Sequence, residues 1–305
     1  MSEIIKITSE NINSIKSIVD KYSSCAEHNI YLFLNSSSKG DINVFFKEGE
    51  CGILAHYTEL DTWKIFSEPL APEDLKCDLI FNFLNYINGE FNLPGKKVII
   101  EDIKLPLRKE ILKRMKYSNK YRCSRLNYSL SWPVFDMSVW NGDLMQGGDW
   151  KDIRYYWHKF FKEHRVEFKT AAEVDKQEMI NLVHEWKKQR TTGDRASIDI
   201  YTNMINSNFE GFDNTRIMCV DGRVCAITAG YKLANQNYYY SAIGIYNRAF
   251  DRIGEIANMD DLIKLKKEGY KLVDFGGSFG KLKDFKKKFR ATNYYDTYVF
   301  SIVKQ

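Results

Sequence analysis

The sequence lacks any uninterrupted apolar run long enough to cross a membrane. A spanning helix needs about 20 consecutive apolar residues, and the chain starts with an acidic residue, Glu3, where a secretion leader would be basic. We therefore predict no transmembrane segment and a cytoplasmic location. Any lipid or cell-wall substrate would then be reached from the cytoplasmic side.

Paired cysteines and metal-ligand spacings are also missing. The six cysteines are widely separated and form no C-x-x-C pair, and the five histidines show no H-x-x-x-H spacing. This usage is typical of reduced thiols in a cytosolic protein rather than of a disulfide framework. We expect no metal ion and no required cofactor.

Size and composition indicate a soluble globular protein of two domains. The chain has 305 residues, of which 44% are hydrophobic and 28% charged, and this length allows two cores of ordinary size. The segment 133–149 contains Gly142, Gly147 and Gly148 and is the predicted connection between them. We place the domain limits at 1–145 and 146–305.

Positive charge is concentrated towards the end of the chain. The net charge is only +5, but residues 261–290 carry ten Lys or Arg against four acids. Such a cluster attracts phosphate groups, whether of a CoA pyrophosphate or of an RNA backbone. The alternative is an ordinary solvated helix face.

Hydrophobic periodicity predicts the same series of elements twice. Each half reads as strand, helix, three or four antiparallel strands, helix, strand, helix and strand. In the first half, strands are predicted at 30–34, 42–46, 52–57 and 63–66. No residue-level repeat accompanies the pattern. The interpretation is an α+β fold in which a mixed sheet with flanking helices occurs in both domains.

A strand, a glycine turn and a basic helix follow one another between residues 272 and 290. The apolar strand runs to Asp274, the turn contains Gly276, Gly277 and Ser278, and the helix carries Lys286. This order brings backbone N–H groups and cationic side chains to one edge of a sheet, where an anionic ligand can bind.

These residues resemble a known group of proteins. The sequence Asp-Phe-Gly-Gly at 274–277 and the sequence Phe-Lys-x-x-Phe at 285–289 are similar to elements of the Fem-type peptidyltransferases and of the catalytic domain of phosphatidylglycerol lysyltransferases. Both groups consist of two tandem GNAT-like (acyl-CoA N-acyltransferase-like) domains. Because residues 68–74 of the first half are acidic and without glycine, we predict that the second domain is active and that the first is a scaffold or the acceptor side. The resemblance implies that Lys286 stabilises the tetrahedral intermediate of acyl transfer.

The usual phosphate-binding pattern of GNAT proteins, Gln/Arg-x-x-Gly-x-Gly/Ala, is only partly present. In the second half Gly254 and Ala257 are one position too far apart, and Asp251 stands where Gln or Arg belongs. Two arginines and a helix start remain available for a phosphate. The matching region of the first half, 68–74, is acidic and without glycine, so no pyrophosphate is expected there. The predicted cofactor-binding residues are Arg248, Arg252, Gly254, Gly276, Gly277 and Ser278.

Three side chains form the predicted catalytic group. Acyl transfer to an amine needs an amine that loses a proton and a carbonyl that is polarised. Lys286 is assigned by the resemblance, Asp274 would orient the amine, and Tyr240 belongs to a strand whose alternate tyrosines line a cleft. The plainer alternatives are a surface lysine, a turn acceptor and a core tyrosine.

The leading hypothesis is an acyltransferase that moves an activated acyl or aminoacyl group, carried by aminoacyl-tRNA, to an amine or hydroxyl. The acceptor would belong to a small molecule, a lipid headgroup or a peptide. One alternative is an N-acetyltransferase whose donor is acyl-CoA, and another is a non-catalytic binding protein on the same fold. The acceptor and the oligomeric state stay open. The predicted contacts to tRNA are Lys281, Lys283, Lys287, Lys288 and Arg290.

Overall fold

The computed structural model describes residues 2–89, 97–190, 197–234 and 236–305. The elements of the first part of the chain are β1 (Ser2–Lys6), α1 (Ile12–Tyr22), α2 (Ile30–Asn35), β2 (Ile42–Glu48), β3 (Cys51–Thr58), β4 (Thr62–Ile65), α3 (Lys76–Gly89), β5 (Lys97–Lys104), α4 (Leu105–Met115) and β6 (Tyr121–Asp136). Those of the second part are α5 (Lys151–Glu163), β7 (Val166–Lys169), α6 (Lys176–Lys188), α7 (Ile198–Asn206), β8 (Asn214–Val220), β9 (Arg223–Lys232), β10 (Tyr238–Tyr246), α8 (Ile253–Lys267), β11 (Leu272–Asp274), α9 (Gly280–Lys287) and β12 (Asn293–Lys304). The predicted α+β class is confirmed.

The chain divides into two compact units, each assembled from more than one stretch. The first consists of Met1–Trp132, Gly277–Phe279 and Tyr295–Gln305, and the second consists of Pro133–Gly276 and Gly280–Tyr294. The last strand of the chain therefore belongs to the first unit. The domain limits 1–145 and 146–305 stay a prediction.

In the first unit the strand order is β1-β2-β3-β4-β5-β12-β6. Strands β4 and β5 are parallel, whereas β1 to β4 and the pair β5–β12 are antiparallel. Successive residues of a strand face opposite sides of the sheet. Phe46 accordingly packs with Ile80 and the α3 side, while Phe45 packs with Ile15 and Phe33 of α1 and α2.

Helix α2 corrects one expectation, because the strand predicted at 30–34 is wrong. The side chain of Asn29 accepts hydrogen bonds from the backbone N–H groups of Tyr31 and Leu32. An asparagine at this position satisfies N–H groups that a helix start leaves without partners. Ile30 and Phe33, three residues apart, then form the buried face of the helix. A short apolar run fits a strand and a helix equally well when the residue that caps the helix is not considered.

In the second unit the strand order is β6-β11-β10-β9-β8-β7. Only β10 and β11 are parallel, and the other registered pairs of this unit are antiparallel. Val273 of β11, Leu262 of α8 and Phe289 after α9 are fully buried together in one core. This packing fixes α8 and α9 beside the ends of β10 and β11. Within the described residues, no helix is both long and apolar enough to cross a membrane.

Candidate active site

Strands β10 and β11 separate inside the second unit. They pair in parallel from Tyr238–Leu272 to Tyr240–Asp274, where β11 ends. Strand β10 continues to Tyr246, and its register with β9 shifts between Ser241 and Ile243. Such a bulge bends a strand and increases its local twist. Beyond Tyr240 the edge of β10 therefore has no β11 partner, and the chain after Asp274 turns away through Gly276.

Asp274 holds this turn in place. Its side chain is fully buried, one carboxylate oxygen accepts a hydrogen bond from the Gly276 N–H at 2.8 Å, and the other accepts one from the Tyr238 hydroxyl at 2.7 Å. Gly276 has φ +75°, a conformation that favours glycine. Because both oxygens are engaged, Asp274 serves as a turn acceptor here, the plainer of its two sequence interpretations.

Lys286 lies against the same turn. Its Nζ donates hydrogen bonds to the carbonyl of Gly276 at 2.8 Å and to that of Phe275. Burial of the ammonium group lowers the pKa of Lys286 to about 8, and the nearby Asp274 carboxylate partly opposes this. A lysine with this pKa gives up its proton far more readily than one in water.

The three predicted catalytic residues come together around Gly276. A Cβ atom built on Gly276 would lie 3.4 Å from Lys286 Nζ and 3.5 Å from the Tyr240 hydroxyl. The carboxylate of Asp274 bonds to the Gly276 N–H. Tyr240 is buried against Tyr231, with ring centroids 5.5 Å apart. The Lys286 ammonium group and the Tyr240 phenol therefore lie close to the same point beside Gly276.

A cavity of about 530 Å³ opens at the beginning of α8. Four cationic and two acidic side chains line it, so its walls carry a net positive charge, which attracts an anionic ligand. The charged residues are Arg190, Arg248, Arg252, Lys281, Asp251 and Glu255, and the others are Tyr246, Phe250, Ile253, Gly254, Leu282 and Phe285. Among the described residues, no three His, Cys, Asp or Glu side chains gather as a metal-binding group.

The first turn of α8 forms one wall of this cavity. Arg252 precedes the helix with φ +61°, and its side chain does not cap the helix. The N-terminal end of a helix of this length attracts anions through its unpaired N–H groups. A Cβ atom on Gly254 would lie only 2.8 Å from the ring of Tyr246. Glycine is therefore required for this close approach between α8 and β10.

A group of ion pairs lies between this cavity and a second, smaller one. Glu255 pairs with Arg252 at 3.0 Å and with Lys288 at 2.8 Å, and Arg252 lies 4.6 Å from the ring centroid of Tyr156. Burial alone would raise the pKa of Glu255, but the hydrogen bonds from Lys288 and Arg252 outweigh it and lower that pKa. Glu255 therefore stays anionic and holds both cations. The smaller cavity, of about 160 Å³, is lined by Asp149, Asp152, Ile153, Tyr156, Arg252, Glu255, Ile256, Lys288 and Arg290.

The predicted cofactor-binding residues fall into two groups. Arg248, Arg252 and Gly254 line the larger cavity, whereas the three residues of the glycine turn do not. Gly277 packs on Trp132, since an added Cβ would lie 2.7 Å from the indole. The hydroxyl of Ser278 is buried and donates to the Ser131 carbonyl at 3.2 Å. These two residues belong to the first unit.

The five predicted tRNA contacts are also divided. Lys281 lines the larger cavity, and Lys283 is half-buried on α9. The other three cations are paired with acids of the second unit. The pairs are Lys287 with Asp284 at 3.0 Å, Lys288 with Glu255 at 2.8 Å and Arg290 with Asp149 at 3.6 Å.

Sequence reasoning missed Arg190, Glu255 and Tyr246. Arg190 follows α6, far from α8 in sequence, and reaches the cavity because Gln189 binds the Arg248 backbone N–H at 2.9 Å. No local pattern reveals this pairing. Glu255 was detectable in principle, since an acid three residues after Arg252 pairs with it on a helix.

The corresponding loop of the first unit is filled by its own side chains. Glu68 is buried, accepts a hydrogen bond from the Lys104 N–H at 3.0 Å and pairs with Lys76 at 2.7 Å. A carboxylate in this position disfavours a phosphate. That residues 68–74 bind no pyrophosphate stays a prediction.

Comparisons with known proteins show which folds are similar to this one. Residues 150–287 match the model of the acetyltransferase (GNAT) domain. The C-terminal domain of a protein described as a lysylphosphatidylglycerol synthetase, from Agrobacterium fabrum, is 14% identical, with a TM-score of 0.65 over 96% of this chain and 91% of that one. FemX is 10% identical, with a TM-score of 0.63 over 98% and 96% of the two chains.

A tandem GNAT protein from the clavulanic acid biosynthesis pathway is also similar over 100% of this chain and 98% of its own, with 10% identity and a TM-score of 0.58. No curated protein matches the sequence. Identities this low establish the fold alone. The chain thus has the fold of these structures, a tandem GNAT protein among them, and its residues 150–287 match the model of a GNAT domain.

Proposed function

We propose that the second unit is an acyltransferase that binds the phosphate-bearing part of its donor at the beginning of α8 and transfers the acyl group beside Lys286. The observation that carries this proposal is the convergence of four cationic side chains and a helix N-terminus on one cavity. The gap between β10 and β11 lies on the same strand, β10, that supplies Tyr246 to the cavity. The match to an acetyltransferase domain covers both features.

Aminoacyl-tRNA is the donor that we propose first. Asp251 lines the cavity at the position where the usual CoA-binding pattern has Gln or Arg, and a carboxylate there disfavours a pyrophosphate. The likeness in fold to FemX and to the lysylphosphatidylglycerol synthetase domain agrees with the resemblance that implies this donor. The acceptor would be an amine or a hydroxyl.

Lys286 would act on the acyl carbonyl. An ammonium group has three N–H donors, and two of them bind the carbonyls of Phe275 and Gly276. The third is available for the oxygen on which negative charge develops during attack, a type of contact that lowers the barrier of acyl transfer. With a pKa of about 8, about nine-tenths of this lysine carries its proton at pH 7.

The bond changes of the proposed reaction balance without a cofactor. The acceptor nitrogen or oxygen forms a bond to the acyl carbon, and the ester bond to the ribose oxygen of tRNA breaks. The proton lost by the acceptor ends on that ribose oxygen. Tyr240, whose hydroxyl lies near Gly276 together with Lys286, is placed to pass this proton between the two groups.

Acyl-CoA is the second candidate donor. The observation in its favour is the family model that residues 150–287 match, which describes an acetyltransferase domain. The pyrophosphate of CoA would use the same arginines and the same helix N-terminus. Transfer from CoA would break a thioester bond, and the acceptor proton would end on the CoA sulfur.

Equilibrium binding separates these donors. Arg248→Glu combined with Lys281→Glu reverses two charges in the cavity, and Lys109→Glu combined with Lys113→Glu makes the same change on exposed residues of α4. We expect charged tRNA to bind in a salt-sensitive manner, and the cavity variant to bind it at least about tenfold more weakly than the α4 control.

Lys286→Gln completes the design, since it should retain donor binding and lose acyl transfer. Stabilisation by acetyl-CoA alone, without tRNA binding, would favour the second donor. Equal binding by the cavity variant and the α4 control would contradict the proposed location for either donor.

A further inference from the structure

Helix α5 presents an exposed basic stripe on the second unit. Lys151, Tyr155, His158 and Lys162 follow one another at intervals of four, three and four residues, so they lie along one side of the helix. All four are exposed, and Tyr155 keeps 60% of its accessible surface. No acidic residue of α5 lies within this stripe.

The opposite face of α5 is already occupied. Phe160 is buried in one core of the second unit, and Ile153 and Trp157 pack against the cores of the same unit. A helix that binds a membrane surface needs a broad apolar face that is free to enter the lipid. Here most of that face is used for packing, although Phe161 keeps 37% of its accessible surface, and the stripe itself carries two lysines, a histidine and one tyrosine ring. The stripe is therefore suited to a polyanion.

The lysines of the stripe differ in their ion pairing from the cations at and after the end of α9. Within the described part of the chain, Lys151 and Lys162 form no ion pair. Lys287, Lys288 and Arg290 are each paired with an acid. An ammonium without an acidic partner can neutralise a phosphate, and this releases cations condensed on the nucleic acid.

Helix α5 also contacts the donor cavity, on a side of the helix that the stripe does not occupy. Tyr156 of α5 contacts the Arg252 guanidinium, and Arg252 lines both the larger and the smaller cavity. Lys151 and Lys162 are separated by about 16 Å along the helix axis. Two phosphates of a pyrophosphate cannot reach both lysines, whereas phosphates a few nucleotides apart on one nucleic-acid strand can. The exposed ring of Tyr155 between them offers a stacking surface for a base.

We propose that the α5 stripe, Lys151, Tyr155, His158 and Lys162, is the surface on which the RNA part of the donor lies. Its backbone phosphates contact the two lysines, and its acylated end enters the cavity at α8. This inference rests on the proposed function, of which it deepens the donor assignment. It also moves the main polyanion contact from α9 to α5.

The test compares two charge-reversal pairs by fluorescence anisotropy. The probe is a synthetic RNA hairpin of acceptor-stem length that ends in single-stranded CCA. Lys151→Glu combined with Lys162→Glu alters the stripe, and Lys109→Glu combined with Lys113→Glu is the control of equal charge on α4. We expect the stripe variant to bind about 30- to 100-fold more weakly than the control, with a salt dependence reduced by about 1.5 in slope. Tyr155→Ala should weaken binding by about tenfold.

The outcomes separate this inference from the proposed function. One outcome is that the cavity variant Arg248→Glu/Lys281→Glu loses hairpin binding while the stripe variant matches the α4 control. In that case the proposed role of the stripe is overturned and the proposed role of the cavity stands. If the wild type binds no hairpin but is stabilised by acetyl-CoA, both the RNA donor and the stripe are overturned. Loss of binding to phosphatidylglycerol vesicles by the stripe variant, with hairpin binding unchanged, would assign α5 to a membrane surface and overturn the inference. Urea unfolding of each variant verifies that it is folded.

Discussion

The buried ammonium of Lys286 makes the stability of the protein depend on pH in a specific way. Burial lowers the pKa of Lys286 from 10.5 to about 8. The unfolded chain keeps this proton up to about pH 10.5, whereas the folded protein releases it near pH 8, so between these values the unfolded state binds more protons. Stability must then rise with pH across this window.

The size of this effect follows from the pKa values. A tenfold change in an ionisation constant corresponds to about 1.4 kcal/mol, so the lowered pKa of Lys286 costs the folded protein about 3 kcal/mol below pH 8. Replacement by Gln removes the charge and this cost. We therefore expect the free energy of unfolding of the wild type, relative to Lys286→Gln, to rise by about 3 kcal/mol between pH 8 and 10.5.

Urea unfolding at a series of pH values measures this difference. Subtracting the two proteins at each pH cancels the contributions of the titrating groups that do not interact with Lys286. Lys287→Gln, on the exposed side of the same helix, is the matched control and should give a flat difference. A flat difference for Lys286→Gln as well would refute the buried position of the ammonium group at the glycine turn.

Two further predictions concern α8. Gly254→Ala should lower the free energy of unfolding by about 1–3 kcal/mol, because its Cβ would lie 2.8 Å from the Tyr246 ring; Gly148→Ala, with open space around its Cβ, should change it by less than about 0.5 kcal/mol in the same urea titration. Burial raises the pKa of Asp261 from 3.8 to about 6, so the folded state binds more protons between these values and stability falls as the pH rises through them. Asp261→Asn should remove this part of the pH dependence, and an unchanged slope between pH 4 and 6 in urea titrations would contradict the burial of an ionisable carboxyl there.

The sequence predicts the second unit better than the first. The strand, turn and helix between 272 and 290 are local, since the strand ends in a glycine turn and the helix carries an apolar stripe anchored by Phe285 and Phe289. Local patterns of this kind are read directly from residue spacing. The meeting of Lys286, Asp274 and Tyr240 at Gly276 follows from the parallel pairing of β10 with β11, which the predicted order of elements implies.

What could not be predicted depends on contacts between distant parts of the chain. The roles of Lys287, Lys288 and Arg290 are decided by acids that pair with them, and two of those acids, Glu255 and Asp149, are far away in sequence. A count of charged residues identifies the cations but not the acids that pair with them. The membership of the last strand in the first unit is a similar case, because its partner β5 lies almost 200 residues earlier.

In helix α5, by contrast, a count of charged residues gives no sign of a cationic surface that the structure shows. The count does not single out the helix, because Asp152 and Glu163 offset half of its four Lys and Arg residues and leave a net charge of +2. The helical arrangement separates these charges, so that the exposed stripe contains cations and the acids lie beside it. The core contacts of Ile153, Trp157 and Phe160 identify which side faces outward.

Hydrogen–deuterium exchange with and without donor shows whether the donor binds at the α8 cavity. Donor phosphate bound at the α8 cavity should slow amide exchange in residues 247–257 and in 280–286, the segments that supply most of its lining. We expect this protection with charged tRNA, or with acetyl-CoA if that is the donor. Protection confined to the loop 66–75 of the first unit, with 247–257 unchanged, would contradict it.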